Sequence, residues 1–195
     1  SGKQYHSEGV EISAVIEQTL RTHHLQARDK GIQLRKFVDP DLPLVWGNYD
    51  LLLQVMTNLL GNALKFTPSG GLVTVHAHLV VQADGSPQAV RVAVADTGIG
   101  IAPEDQERIF DRFFRVENRV HTLEGTGLGL AIVRNILEKH HTCIRLESKL
   151  EQGSTFWFDL HLYAEGSPLE FTDPPAETDP PSCAWREYPY HSHQP

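Results

Sequence analysis

The sequence predicts an α/β sandwich, with a mixed, largely antiparallel sheet, helices layered on one of its faces, and a trailing segment without a fold of its own. Three observations carry this expectation. Several stretches alternate apolar and polar residues at the period of a strand, and short turns link neighbours among them. Between them stand segments whose apolar residues recur at helical spacing. From Ala164 onward both periods stop, and this stretch holds seven of the twelve prolines.

In chain order, Val10, Ile12, Val15, Ile16, Leu20 and Leu25 partly suit a helix over residues 8–30. Residues 32–38 read as a short strand closed by Asp39-Pro40 and Pro43. A stronger helix is expected from Asp50 to Phe66, stopped by Thr67-Pro68-Ser69-Gly70-Gly71. Val73, Val75, Ala77 and Leu79 then alternate with Thr74, His76 and His78. The turn Asp84-Gly85-Ser86-Pro87 leads to a strand over 89–96, with Val90, Val92 and Val94 on one face. A glycine-rich and then polar, weakly periodic stretch fills 97–128, and a helix is expected from Leu128 to Lys139. Two strands close the pattern, near 144–148 and 155–162. In the second, Phe156, Phe158, Leu160 and Leu162 point inward and Trp157, Asp159 and His161 outward.

Composition narrows the function. The formal net charge of −8 argues against a general nucleic-acid binder. Residues 164–195 hold six acidic residues against Arg186, so the part before them is nearly balanced. The two cysteines, Cys143 and Cys183, lie far apart and form neither a disulfide framework nor zinc spacing, which makes a reducing cytoplasm the expected setting. No run approaches the ~18 apolar residues of a membrane span, so no direct membrane contact is expected of this segment.

Three motifs carry chemistry. On a wheel of ~100° per residue, Gln54, Asn58, Asn62 and Lys65 share the narrow polar face of the helix 50–66. Asparagine is a mediocre helix former, so two of them one turn apart suggest neutral oxygen ligands for a hard cation beside an ammonium for phosphate; an ordinary solvated face is the alternative. Asp96 falls on the same face as Val90, Val92 and Val94, where a carboxylate needs hydrogen-bond partners. It is followed by Thr97-Gly98-Ile99-Gly100-Ile101, where a flat ligand can approach the backbone, or where a turn is simply capped. Gly125-Thr126-Gly127-Leu128-Gly129-Leu130 opens a helix, an arrangement suited to phosphate oxygens. It lacks the Gly-Lys-Ser/Thr of a Walker loop and the spacing of a dinucleotide fingerprint.

Taken in order, these strings resemble the boxes of sensor histidine kinases. Residues 58–66, Asn-Leu-Leu-Gly-Asn-Ala-Leu-Lys-Phe, look like the N box, and 96–100 like the first glycine box. Phe110-Asp111-Arg112-Phe113-Phe114-Arg115 is similar to the F box, and Gly125 through Gly129 to the second glycine box. The resemblance spans about residues 10–163 and implies the GHKL ATP-binding fold shared with gyrase B, MutL and heat-shock chaperone ATPases. It implies that Asn62 ligates Mg²⁺ with Asn58 assisting, that Lys65 pairs with phosphate, and that Phe66 packs near adenine or ribose. It further implies that Asp96 reads the adenine amine, with Gly98, Gly100 and Ile101 against the base. Gly125, Thr126, Gly127, Leu128 and Gly129 would hold phosphates at the end of a lid formed by residues 115–124. Phe110, Phe113 and Phe114 would anchor that lid, and Arg115 would either meet the γ-phosphate or remain a solvated lid charge. The lid wording, residues 118–124, resembles the cyanobacterial and plastid branch.

Two positions depart from the family pattern. Gly47-Asn48 stands where Gly-Asp is frequent, and His140-His141-Thr142 stands where His-Gly-Gly is frequent. None of the eleven histidines is directly followed by Asp or Glu, so the acceptor histidine of the family is missing here. His76 and His78 share a strand face and form a candidate metal pair, with plain surface positions the simpler account. The expected organisation is a linker over 1–9, a catalytic ATP-binding domain over 10–163 and a proline-rich acidic tail over 164–195. The expected function is transfer of the γ-phosphoryl of Mg-ATP to a histidine on a separate dimerisation and phosphoacceptor domain, and through it to a response regulator. A nucleotide-binding module without phosphotransfer, or an ATPase of the chaperone or topoisomerase type, is the competing expectation. The resemblance implies a cytoplasmic domain, with any inner-membrane anchor outside this segment.

Overall fold

A computed structural model of the chain describes residues 6–111, 129–166 and 169–171. Strand β1 (Glu8–Val10) precedes helix α1 (Ile12–Lys30), strands β2 (Gln33–Val38) and β3 (Val45–Gly47), and helix α2 (Tyr49–Phe66). Strands β4 (Leu72–Val81) and β5 (Pro87–Asp96) form a hairpin, followed by the single turn α3 (Pro103–Gln106) and helix α4 (Gly129–Lys139). Strands β6 (Arg145–Lys149) and β7 (Gly153–His161) complete the order.

Five strands form one sheet in the order β2-β4-β5-β7-β6. Only β2 and β4 run parallel, because α2 carries the chain back across the sheet between them. The other pairs are antiparallel; short turns join β4 to β5 and β6 to β7, while β5 and β7 meet across a long connection. β1 and β3 form a separate two-stranded ribbon, tied to the end of β7 by the Val45–Leu162 bridge. Pairing with β3 begins at Glu8, so the expected first helix starts only at Ile12.

Val75, Val92, Val94 and Phe158 face one side of the sheet and pack into a single core with Leu52, Met56 and Leu60 of α2, Val15 and Ile16 of α1, and Val133 and Leu137 of α4. Val75, Val92, Val94 and Phe158 are inward positions that the period of 2 marked in the sequence, and Val15 and Ile16 stand among the apolar positions of its first predicted helix. Each such buried side chain contributes about 1.5–3 kcal/mol, and together they make this face the stable floor under the polar row of α2.

Several expectations need correction. Trp157 lies on the face opposite the helices as expected, yet it is only 4% exposed. Alternation tells which face a residue takes and says nothing of whether that face is covered. Cys143 is disulfide-bonded, against the expectation of no disulfide, so cysteine usage gives no argument for a reducing setting. His141 takes φ 56°, so the helix exit that glycine commonly supplies is made here by a residue with a Cβ, in a region that histidine tolerates better than most. Phe171 of the expected tail stacks on Trp46 with ring centroids 4.7 Å apart, and Glu170 O meets His141 Nε2 at 2.9 Å. No helix among the described residues is long and apolar enough to cross a membrane.

Candidate functional site

Helix α2 positions the polar row, and its start is fixed by Asn48. The Asn48 side chain accepts a hydrogen bond from Leu51 N at 3.0 Å, an N-cap that an aspartate would also make. The departure from Gly-Asp thus keeps the cap. Asn48 N–H in turn donates to His140 Nε2 at 3.1 Å, while His140 Nδ1 lies 2.8 Å from Ile136 O. These partners select the neutral ring with its proton on Nδ1. Burial, opposed by the bond to Ile136 and aided by His141, pushes the His140 pKa down to about 4. Gly47 leaves room for this ring, since a Cβ there would sit 2.8 Å from His140 Nε2.

Farther along α2, Asn58, Asn62, Lys65 and Phe66 are half-buried, whereas Asp50, Gln54 and Thr57 are exposed. The structure thus divides the polar face of the sequence wheel into a solvated first half and a partly enclosed second half. Neither the Asn58 nor the Asn62 amide has a hydrogen-bond partner among the described residues. Gly129, the first described residue of α4, sits against Asn58; a Cβ there would lie 3.4 Å from Asn58 Oδ1. The Lys65 ammonium lies 5.5 Å from the Phe66 ring centroid.

The segment after β5 joins the far end of α2. Ile99 N–H donates to Phe66 O at 3.2 Å, and a Cβ on Gly98 would come within 2.5 Å of the same carbonyl oxygen. Asp96 Oδ1 accepts from Gly98 N at 2.8 Å and Ser154 N at 3.3 Å, leaving Oδ2 as its open acceptor among the described residues. Burial raises the Asp96 pKa, and the two N–H donors oppose that rise. Gly100 adopts φ 69° and passes tightly by Lys149 O, a place no side chain can occupy. Ile101 N–H donates to Ser148 Oγ at 2.8 Å, and Gln106 Nε2 donates to Ile101 O at 2.9 Å. Asp96, Gly98, Gly100 and Ile101 are therefore held as one loop against the C-terminal end of α2. The loop glycines have packing reasons of their own, apart from any ligand.

Sequence reasoning missed the residues that hold this loop. Thr97 Oγ1 accepts from Leu72 N at 2.9 Å, Ser148 and Ser154 share a hydrogen bond of 2.7 Å, and Gly153 packs against Asp96 O with φ 112°. Ser148 and Ser154 flank a turn, the one sequence feature that set them apart. Phe110 is fully buried and meets Phe156 edge-on at 6.2 Å. Phe113, Phe114, Arg115, residues 115–124, and Gly125, Thr126, Gly127 and Leu128 lie outside the described residues. The described residues contain no group of three His, Cys, Asp or Glu able to hold a metal, so His76 and His78 gain no third ligand there.

An amide-lined helix face and a carboxylate loop, set on a mixed sheet with helices on one side, define a class of nucleotide-binding ATPase domains. The chain belongs to the family described as histidine kinase-, DNA gyrase B-, and HSP90-like ATPases, whose match covers residues 47–164. It is 57% identical to drug sensory protein A of Synechocystis sp. (strain ATCC 27184 / PCC 6803 / Kazusa) over 84% of this chain and 25% of that protein. The chain thus spans about a quarter of that relative's length. Among solved structures it is similar to full-length ShkA in complex with AMPPNP, at 32% identity and a TM-score of 0.71, covering 84% of this chain and 33% of that one. The nucleotide-free catalytic domain of histidine kinase ThkA matches at 26% identity and a TM-score of 0.68, over 80% of this chain and 98% of that one.

Proposed function

We propose that the domain binds Mg-ATP between the Asn58, Asn62 and Lys65 row of α2 and the loop 96–101, and delivers the γ-phosphoryl group to a histidine on a separate dimerisation and phosphoacceptor domain. The observation that carries this reading is the Ile99–Phe66 hydrogen bond, which joins a candidate base reader, Asp96, to the helix that bears candidate phosphate and metal groups. Asp96 Oδ2 suits the exocyclic amine of adenine, which donates where the corresponding oxygen of guanine cannot. Lys65 suits phosphate oxygens, and Phe66 suits the face of the base or ribose. The amide oxygens of Asn62 and Asn58 fit Mg²⁺, a hard cation that takes one or two protein oxygens and completes its shell from phosphate and water. Mg²⁺ held there would supply charge neutralisation for the phosphates.

In the transfer, an imidazole nitrogen of the acceptor forms a bond to the γ-phosphorus as the bond to the bridging oxygen breaks, releasing ADP. This chain positions the nucleotide and performs little covalent work. A response regulator would then take the phosphoryl group from the acceptor domain. The same reading places the domain in the cytoplasm, with any membrane anchor in segments outside these residues. Arg115 and Gly125 through Gly129 are proposed to close over the phosphates, on the strength of their likeness to the family's boxes.

Incubation with γ-labelled ATP tests the proposal. The chain alone should bind Mg-ATP and stay unlabelled, and an added acceptor fragment should gain acid-labile label. Asn62→Ala should lower that labelling by about a hundredfold, the scale of losing a metal-positioning group. Acceptor labelling that survives Asn62→Ala removes the metal role, and ATP binding without any labelling favours the inactive module.

A further inference from the structure

The C-terminal end of α2 presents four carbonyls that the helix itself cannot satisfy, and this is the end that carries Asn62, Lys65 and Phe66. Ala63 O accepts from Thr67 Oγ1 at 2.7 Å, and Phe66 O accepts from Ile99 N. The two between them, Leu64 O and Lys65 O, both accept from Lys30 Nζ, at 2.6 and 2.8 Å. Lys30 is the last residue of α1 and reaches across from 34 residues earlier in the chain. Its charge stands at the negative end of the α2 dipole, where a cation is favoured. Desolvation lowers its pKa from the ordinary lysine value. The next residue, Gly31, ends α1 with φ 72°, and its carbonyl accepts from Gly70 N at 2.8 Å. One corner of the molecule therefore fixes both the last turn of α2 and the chain leaving it.

We propose that Lys30 is a positioning residue for phosphate and metal binding. By clamping the carbonyls of Leu64 and Lys65 it holds the last turn of α2, so that the Lys65 ammonium and the Asn62 amide face the nucleotide together. The inference rests on the reading of Lys65 and Asn62 given above, and it assigns to Lys30 no contact with the nucleotide. The clamp acts on the backbone of Lys65 itself, so its loss should fall on the phosphate-and-metal part of the affinity. Binding of the bare nucleoside, which rests on Asp96 and its loop, should be spared.

Titration of the purified chain with Mg-ATP and with adenosine, for wild type, Lys30→Met, Lys30→Gln and Lys30→Arg, tests this. Methionine keeps the stem and removes the donors; arginine keeps a cation and donors. Lys30→Met should weaken Mg-ATP by about tenfold, the worth of a charge-assisted clamp, and adenosine by less than about twofold. Arginine should recover Mg-ATP to within about threefold of wild type, with glutamine between. Lys65→Met in the same assay tests the underlying reading, because unchanged Mg-ATP affinity there removes the phosphate role of Lys65 and leaves the Lys30 ratio to be judged alone. Parallel weakening of both ligands by Lys30→Met and Lys30→Gln marks Lys30 as a merely structural residue. An unchanged ratio of the two affinities, or no recovery with arginine, overturns the proposal.

Discussion

Asp96 shows how a side chain proposed to read the base can weigh on the fold. Its pKa is raised chiefly by burial, so folding favours the protonated form more than the unfolded chain does. The stability it contributes is therefore present below the unfolded carboxylate pKa and lost as pH rises through the folded value. At neutral pH the ionised group is a burden that the Gly98 and Ser154 N–H donors only partly offset. Asp96→Asn should then melt higher than wild type at pH 7, with the gap closing toward pH 4, while ATP binds about tenfold more weakly for want of the charged acceptor. Melting curves across that range, beside ATP titrations, check both halves. A variant that melts lower than wild type at pH 7 contradicts the assignment. The residue itself was legible in the sequence, because counting by twos from Val90 put it on the inward face. Its holders were not, since Ser154 stands 58 positions away and no local pattern announces a ladder partner.

At the scale of elements, α2 and α4 are stapled by a neutral histidine. His140 belongs to the end of α4 and accepts from the backbone at the start of α2, so the two helices are joined at the end remote from Lys65. Its folded pKa of about 4 lies below the ordinary 6.5. The stability it confers is thus present above 6.5 and lost as pH falls toward 4. Between pH 7 and pH 4.5 the wild type should lose about 2–3 kcal/mol through this group. His140→Phe should be less stable at pH 7, where Asn48 N–H loses its acceptor, yet show a flatter acid slope in urea titrations. Equal acid slopes in the two proteins would falsify the staple. The helices were readable from their apolar stripes, and the polar row of α2 from its asparagines. The staple was not, because a His-His pair at a helix end reads as surface until the facing element is known. The short turn α3 was missed too; four residues carry too little periodicity to show.

For the whole molecule, alternation and short turns displayed the mixed, largely antiparallel character of the sheet, whereas the sequence did not display the strand order, with β5 and β7 brought together across a long connection. Where the chain closes on itself it displayed poorly. Phe171 lies past the family match and still packs on Trp46, which proline content alone concealed. Cys143 is disulfide-bonded. Reduction should therefore lower the melting temperature of the chain. Identical melting with and without dithiothreitol would show that this bridge contributes nothing to stability.

The pairing of β5 with β7 has a consequence for how such a domain can vary. Asp96 and Ser154 are neighbours in the sheet, and the chain between them leaves this seam and returns to it, adding α4 and the edge strand β6 on the way. The entropy of closing such an excursion grows only with the logarithm of its length, about 0.6 kcal/mol per doubling. Insertions and deletions outside α4 and β6 leave the ladder in register, so the stretch proposed to enclose the nucleotide is also one whose length can change at little cost to the sheet.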